Sequence, residues 1–251
     1  MNYQHDYSIN FPTTKDMATR QRKAAKILRA LFTHLGREDL SGLQCLDLGC
    51  SVGIISRALA DAGADIVGID IDRAGLKEAA SMGPSSAAFA IGDVGATPFP
   101  DDTFDVLICS QVYEHSPSLT YLVREIQRVL KPGGVCFFSG PNRWAIMEEH
   151  YNLPFLSWLP KAWADRYVRW SGRADEYYEN PRSARVLRST LADFTIFDLN
   201  PDMIRYPERY AMEPEVGSFK YPARLVPDWF WKQLGSFVPN FNWILVKSQS
   251  R

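Results

Sequence analysis

The chain has 251 residues, 46% of them hydrophobic and 23% charged, with a formal net charge of −1. That size suits one α/β domain with room for insertions, and the lack of a basic excess removes any composition-level argument for nucleic-acid binding. No run of about 18 apolar residues occurs, so no membrane span is expected, and the opening MNYQHDYSINFPTTKD lacks the basic-then-apolar pattern of a secretory leader.

Apolar positions Ala24, Ile27, Leu28, Leu31 and Leu35, three and four residues apart, predict an amphipathic helix over about 15–35. Residues 43–48 read as a buried strand, Gly49-Cys50-Ser51-Val52-Gly53 as a glycine-bearing turn, and 53–62 as a helix with Ile54, Ile55, Ala58 and Leu59 inward. A second strand (65–71) is followed by a short helix (74–82) that Gly83-Pro84 ends. A third strand (87–91) leads into Gly92-Asp93-Val94. The fourth (104–112) is apolar on nearly every residue. Next comes a helix (119–130), stopped by Lys131-Pro132-Gly133-Gly134, and a fifth strand (135–139). From Arg143 to about Ser189 the pattern lapses into aromatics, prolines and basic residues. A helix (183–191), a sixth strand (195–200), a second irregular segment (206–239) and a terminal strand (241–247) complete the chain. All seven tryptophans lie at or after Trp144.

Strands that are apolar throughout belong to a sheet covered on both faces, and helices between them imply parallel crossovers. The expected fold is α/β, with a Rossmann-like, mostly parallel seven-stranded sheet and helices on both faces. A single domain over 1–251 is expected: an N-terminal helical cap (1–42), a cofactor-binding core (43–142), and aromatic-rich insertions (143–190 and 206–239) after strands 5 and 6 that form an acceptor-side lid. Cys45, Cys50, Cys109 and Cys136 sit in or beside apolar runs with no C-x-x-C pair, as reduced thiols of a cytoplasmic protein would.

Ligands of such sheets lie at the carboxyl ends of the strands. Those ends carry Asp47 and Gly49, Asp70, Asp93, Ser110 and Gln111, and Gly140-Pro141-Asn142. The spacing from Gly49 to Gly53 is not G-x-G-x-x-G, and no Gly-Lys-Ser/Thr follows, so no phosphate cradle is expected. Asp47 would repel a pyrophosphate but suits a cationic or amine-bearing ligand. Asp70 is placed to accept from a ribose diol. Asp93 can accept from an exocyclic amine, with the Val94 N–H serving a ring nitrogen. Asp70 could instead cap the next helix, although Asp72 is the better candidate for that. S-adenosylmethionine, a nucleoside with a cationic end and no phosphate, fits this description.

The segments LDLGCSVG (46–53), GID (68–70), GDVGATPFPDDTFDVLICSQVYEH (92–115) and LKPGG (130–134), the last followed by VCFFS, come in that order. Over about 43–142 they resemble the class I S-adenosylmethionine-dependent methyltransferases, of the type 11 or ubiquinone-methyltransferase-like kind. The resemblance implies that Asp47, Gly49 and Gly53 bind the methionine end and ribose, with Cys50, Ser51 and Ile71 in the same turns. It further implies Asp70 on the ribose hydroxyls, Asp93 and Val94 on adenine, and Ser110 or Gln111 beside the methionine. The family often has glycine where Ser51 stands; serine is small enough to leave the turn intact. S-adenosylhomocysteine would be the product.

Methyl transfer needs a base only when an alcohol or phenol must lose its proton. Glu114, His115, Glu149, His150 and Tyr151 are the candidates, and His150 and His115 are the catalytic choices. Glu114-His115 follows the fourth strand, where the family frequently has a Glu-His pair that is more often structural. His150 lies beyond the fifth strand, where such enzymes place acceptor-binding residues. No trio of carboxylates suggests a catechol-type magnesium site, so no metal ligands are expected. Trp144, Tyr151, Phe155, Trp158, Trp163, Tyr167 and Trp170 could wall an apolar or sugar-bearing acceptor, or pack the insertion onto the sheet. The run LPFLSWLPKAWADRYVRW, with its interleaved apolar and basic residues, could touch a membrane surface. The expected activity is methyl transfer to oxygen of a small-molecule or lipid- or sugar-linked acceptor, by a monomer or homodimer. C- or N-methylation of a quinone-like or amine metabolite, or a non-catalytic cofactor-binding regulator, are the alternatives.

Overall fold

Seven strands form one sheet. The computed structural model describes residues 17–217, 223–227, 231 and 238–249. The opening segment and parts of 206–239 lie outside the described residues. Strand β1 is Gln44–Leu48, β2 Asp65–Asp70, β3 Ala88–Ile91, β4 Phe104–Ser110, β5 Leu130–Pro141, β8 Phe194–Asp198 and β9 Asn240–Lys247. Strands β1 to β5 pair in parallel, whereas β9 runs antiparallel to both β5 and β8. The strand order is β3-β2-β1-β4-β5-β9-β8 and reverses between β1 and β4, the switch point at which sheets of this kind hold their ligands.

Successive side chains of a strand point to opposite faces, and here both faces are covered. Leu107, Cys109, Phe138 and Trp243 pack on one side with Leu122, Ile126 and Val129 of helix α4 (Leu119–Val129) and Leu187 of α6 (Ala184–Thr190). On the other side Val106, Ile108, Phe137 and Ile244 meet Ile27 and Leu31 of α1 (Met17–Leu35) and Ile55 and Leu59 of α2 (Ile54–Asp61). Met203 of α7 (Asn200–Arg205) joins the same side. Each fully buried large apolar side chain contributes roughly 1.5–3 kcal/mol, which is why β4 and β5 carry apolar residues on consecutive positions.

The LKPGG segment behaves differently from the sequence expectation of a helix stop before a strand. Helix α4 ends at Val129, Leu130 already pairs with Phe104, and the ladder shifts register before Val106 meets Val135. Gly133, at φ 79°, lets the intervening residues bulge out of the ladder. β5 then continues through Pro141, two residues beyond the predicted end.

Between β5 and α6 the chain builds a small hairpin, β6 (Met147–Glu148) with β7 (Leu153–Pro154), a 3-10 turn (Leu156–Trp158) and α5 (Lys161–Trp170). This insertion has its own apolar cluster of Tyr151, Leu153, Leu156, Ala164, Val168 and Tyr177. It is tied to the sheet through Tyr113, whose hydroxyl donates to the Pro141 carbonyl and accepts from the Arg182 N–H. Among the described residues no helix is long and apolar enough to cross a membrane. All four cysteines are buried and free.

Candidate functional site

The turn after β1 is held from beneath. The N–H groups of Gly49 and Cys50 both donate to the Ile69 carbonyl, at 2.9 and 3.0 Å, tying the turn to the end of β2. Gly49 and Gly53 lie at φ 71° and 76°. A Cβ at Gly49 would stand 2.7 Å from a Val112 methyl, and one at Gly53 would stand 2.6 Å from the Phe89 ring. Both glycines are therefore demanded by the turn and by packing from inside, whatever lies against the outer surface.

Asp70 is bracketed by backbone. Its Oδ2 accepts from the Ser51 N–H at 2.7 Å and its Oδ1 from the Asp72 N–H at 2.8 Å. A carboxylate has about four acceptor positions, so two remain for a ligand. Burial pushes the Asp70 carboxyl upward while those N–H groups pull it back. Ser51 carries a left-handed φ of 51°, and its hydroxyl is buried with no hydrogen-bond partner among the described residues. Asp72, not Asp70, caps the following helix α3 (Arg73–Ser81), accepting from the Ala74 and Gly75 N–H groups at 3.0 and 3.1 Å. Ile71, between the two acids, is partly buried. Replacing Asp72 by alanine should cost about 1 kcal/mol of stability in urea denaturation and leave cofactor titrations within a factor of about two.

Asp47 sits deeper than a rim residue. It is 2% exposed, and its Oδ2 accepts from the Ser56 hydroxyl of α2 at 2.6 Å. Burial pushes its carboxyl up to about 7, against the Ser56 hydrogen bond and with the help of the nearby Asp70 charge. Cys50 is buried against Gly68, where a Cβ would approach it to 2.8 Å. At the end of β3, Asp93 accepts from the Gly95 N–H at 2.8 Å, while the Val94 side chain joins the core.

Past β4, the Ser110 and Ser139 hydroxyls share a hydrogen bond of 2.9 Å. Gln111 takes φ 58°, and its amide Nε2 donates to Asn240 Oδ1 at 3.2 Å. Asn240 in turn donates to Glu149 Oε2 at 2.9 Å. Gln111 Oε1 is buried and, like the Ser51 hydroxyl, has no partner among the described residues. Pro141, Asn142, Met147, Glu148, Glu149 and Asn240 line a crevice alongside.

An acid–imidazole cluster lies under the hairpin, with Glu114 buried and His115 and His150 half-buried. Glu114 is 1% exposed, neither carboxylate oxygen makes a hydrogen bond among the described residues, and burial pushes its carboxyl up to about 8. His115 Nε2 stands 3.8 Å from Glu114 Oε1, and burial holds its imidazole down to about 3. The His115 and His150 rings meet edge-on with centroids 5.5 Å apart. His150 Nδ1 bonds Glu148 Oε1 at 2.9 Å, and Glu148 Oε2 accepts the Tyr151 N–H at 2.8 Å. Burial opposes the His150 charge, but the Glu148 hydrogen bond and the charges of Glu179, Glu148 and Glu114 carry it up to about 9. As arranged, His150 holds a proton at neutral pH, and His115 is neutral. Of the other base candidates, Glu149 is exposed at the crevice and Tyr151 is buried in the insertion's own core. Sequence reasoning missed Glu148, Glu179 and Asn240. Glu148, two residues before His150 in a tight hairpin, was the readable one.

Residues 46–138 match a family model described as methyltransferase domain. A ubiquinone biosynthesis O-methyltransferase of Bordetella avium is 37% identical over 130 residues, 47% of this chain and 53% of that protein. A 2-methyl-6-phytyl-1,4-hydroquinone methyltransferase of Synechocystis sp. is 30% identical over 164 residues, 62% of this chain and 50% of that protein. The chain thus spans about half the length of these curated relatives. An S-adenosylmethionine dependent methyltransferase structure from Mesorhizobium loti, 17% identical, aligns with a TM-score of 0.57 over 88% of this chain and 96% of that one.

Proposed function

We propose, from the match of residues 46–138 to a methyltransferase domain, that the whole chain moves the methyl group of S-adenosylmethionine to an oxygen of a small-molecule or lipid- or sugar-linked acceptor. The observation that carries this is the pair of buried polar atoms, Ser51 Oγ and Gln111 Oε1, that have no partner among the described residues and lie beyond the ends of β1 and β4. Buried polar groups are nearly always satisfied, so such a pair beside the switch point suits a polar ligand. The phosphate-free turn and the two spare acceptor positions on Asp70 suit a nucleoside without phosphates.

In this assignment Asp70 receives the ribose hydroxyls, Asp93 and the Val94 N–H the adenine, and Gly49, Cys50, Ser51, Gly53 and Ile71 border the sugar. Asp47, Ser110 and Gln111 serve the methionine end, with Asp47 supplying negative charge from below. The chain's task is then to align an acceptor oxygen with the methyl carbon and keep water out. The insertion over 143–190 and the described part of 206–239 act as the lid of the crevice beside Asn240. Ile146, Met147, Trp163 and Trp170 are exposed on that insertion, at 63%, 50%, 63% and 84%. With Lys161, Arg166 and Arg169 on the same helix as both tryptophans, they suit a peripheral contact with an anionic membrane surface. The relatives are named for ubiquinone biosynthesis and a phytyl hydroquinone, which favours an acceptor with an aromatic ring and an apolar tail.

Incubating the protein with methyl-tritiated S-adenosylmethionine and a fractionated cell extract tests this. Labelled product should partition into the lipid or small-molecule fraction and release its label on ether cleavage. Label retained through ether cleavage would mean carbon or nitrogen methylation. No labelled product in any fraction would contradict catalysis and leave a binding protein.

A further inference from the structure

We infer that Glu114, His115 and His150 form a binding site for one divalent first-row transition ion beside the acceptor crevice. One potential ligand atom from each of the three residues lies within 4.8 Å of the other two. Ligands about 2.0–2.2 Å from a common ion stand roughly 3–3.5 Å apart, so closure asks for shifts of about 1–1.5 Å, within reach of side-chain rotation. His115 Nε2 and Glu114 Oε1 are already 3.8 Å apart.

Two further observations point to a cation. Glu114 is 1% exposed, with both oxygens lacking a hydrogen bond among the described residues. A buried polar side chain without a partner is costly, and an ion at its oxygens would satisfy it. Moreover His150 gives Nδ1 to Glu148, so that Nε2 can take an ion by releasing its proton to water, and Glu148 is itself fixed by the Tyr151 N–H. Metal-bound histidines almost always have this second partner, which orients the ring and raises its basicity. Two imidazoles and one carboxylate suit iron, cobalt, nickel or zinc better than magnesium, and leave positions open.

The site's use, which rests on the O-methyltransferase reading, would be to bind the acceptor hydroxyl. A bound hydroxyl loses its proton to water more readily, and its oxygen then forms the O–CH3 bond as the S–CH3 bond breaks. The sulfur keeps that electron pair, leaving neutral S-adenosylhomocysteine. This would relieve His150 of the role of base.

Titrating the chelator-stripped full chain with Co²⁺ alone should show one equivalent bound, with a visible ligand-field absorption that Zn²⁺ displaces. Glu114→Gln, His115→Gln and His150→Gln should each weaken binding at least tenfold, while Glu148→Gln should weaken it about tenfold through the lost orientation. Should a variant melt before it can be titrated, X-ray absorption of the cobalt-loaded wild type should still find two imidazole nitrogens. Cobalt uptake equal in all variants, no uptake by the wild type, or an all-oxygen coordination shell would each overturn the site. Cobalt binding is read without any methyl transfer, so the metal site and the methyltransferase assignment can fail separately.

Discussion

Asp70→Ala is expected to weaken S-adenosylmethionine binding by about two orders of magnitude or more, measured by calorimetry. The carboxylate is fixed by the Ser51 and Asp72 N–H groups at 2.7 and 2.8 Å, and keeps two acceptor positions for the ribose hydroxyls. Hydrogen bonds to a charged partner contribute about 1.5–3 kcal/mol each, so losing two costs at least hundredfold. Alanine also releases Ser51, whose left-handed backbone depends on that anchor. Asp70→Asn retains one acceptor and should fall between. Asp72→Ala, which removes a helix cap a few ångströms along the chain, separates a loss of stability from a loss of ribose contacts. Binding by Asp70→Ala within about threefold of wild type would remove Asp70 from the cofactor site.

Asp47→Asn should have opposite effects on stability and binding. Burial raises the Asp47 carboxyl from 3.8 to about 7. Below pH 3.8 the folded and unfolded chains are both protonated there. As pH rises toward 7, the unfolded chain loses the proton while the folded one keeps it, so stability falls across this window and levels off above it. A shift of that size costs on the order of 4 kcal/mol at pH 8. Asparagine stays neutral, still offers an amide oxygen to the Ser56 hydroxyl, and escapes that cost. Urea denaturation should therefore show Asp47→Asn gaining on wild type from pH 4 to pH 8, while its affinity for the cationic cofactor drops about tenfold. Parallel pH–stability curves for the two proteins would contradict this. An acid kept in a place where it destabilises the fold is what a binding site would require.

Much of the sheet was legible because its strands are covered on both faces and so spell themselves as unbroken apolar runs. Phe137 and Phe138 enter opposite cores, and no alternation was there to mislead. The antiparallel entry of β9 was not legible, since its apolar FNWILVK looks the same in either direction. Nor was the bulge at Lys131-Pro132-Gly133-Gly134, where helix-stop and strand-bulge chemistry use the same residues. At the site, the acids closing β1, β2 and β3 were readable from position alone. Their depths were not: Asp47 lies under the turn, hydrogen-bonded to Ser56 nine residues on. The joining of His115 and His150 across 35 positions depends on how the insertion folds back, and that insertion has a private core no periodicity announces. Exposure of Trp163 and Trp170 beside burial of Tyr151 and Tyr177 was likewise beyond the sequence, because aromatic composition is the same for a core and a surface.

A calorimetric titration of the wild-type chain with S-adenosylmethionine tests the cofactor assignment most directly. One site per chain is predicted, displaced by S-adenosylhomocysteine, and lost in Asp70→Ala. A flat titration, with neither the methyl donor nor its demethylated product producing heat or displacing the other, would contradict the assignment of the strand ends around Ser51, Asp70 and Gln111 as a methyltransferase cofactor site.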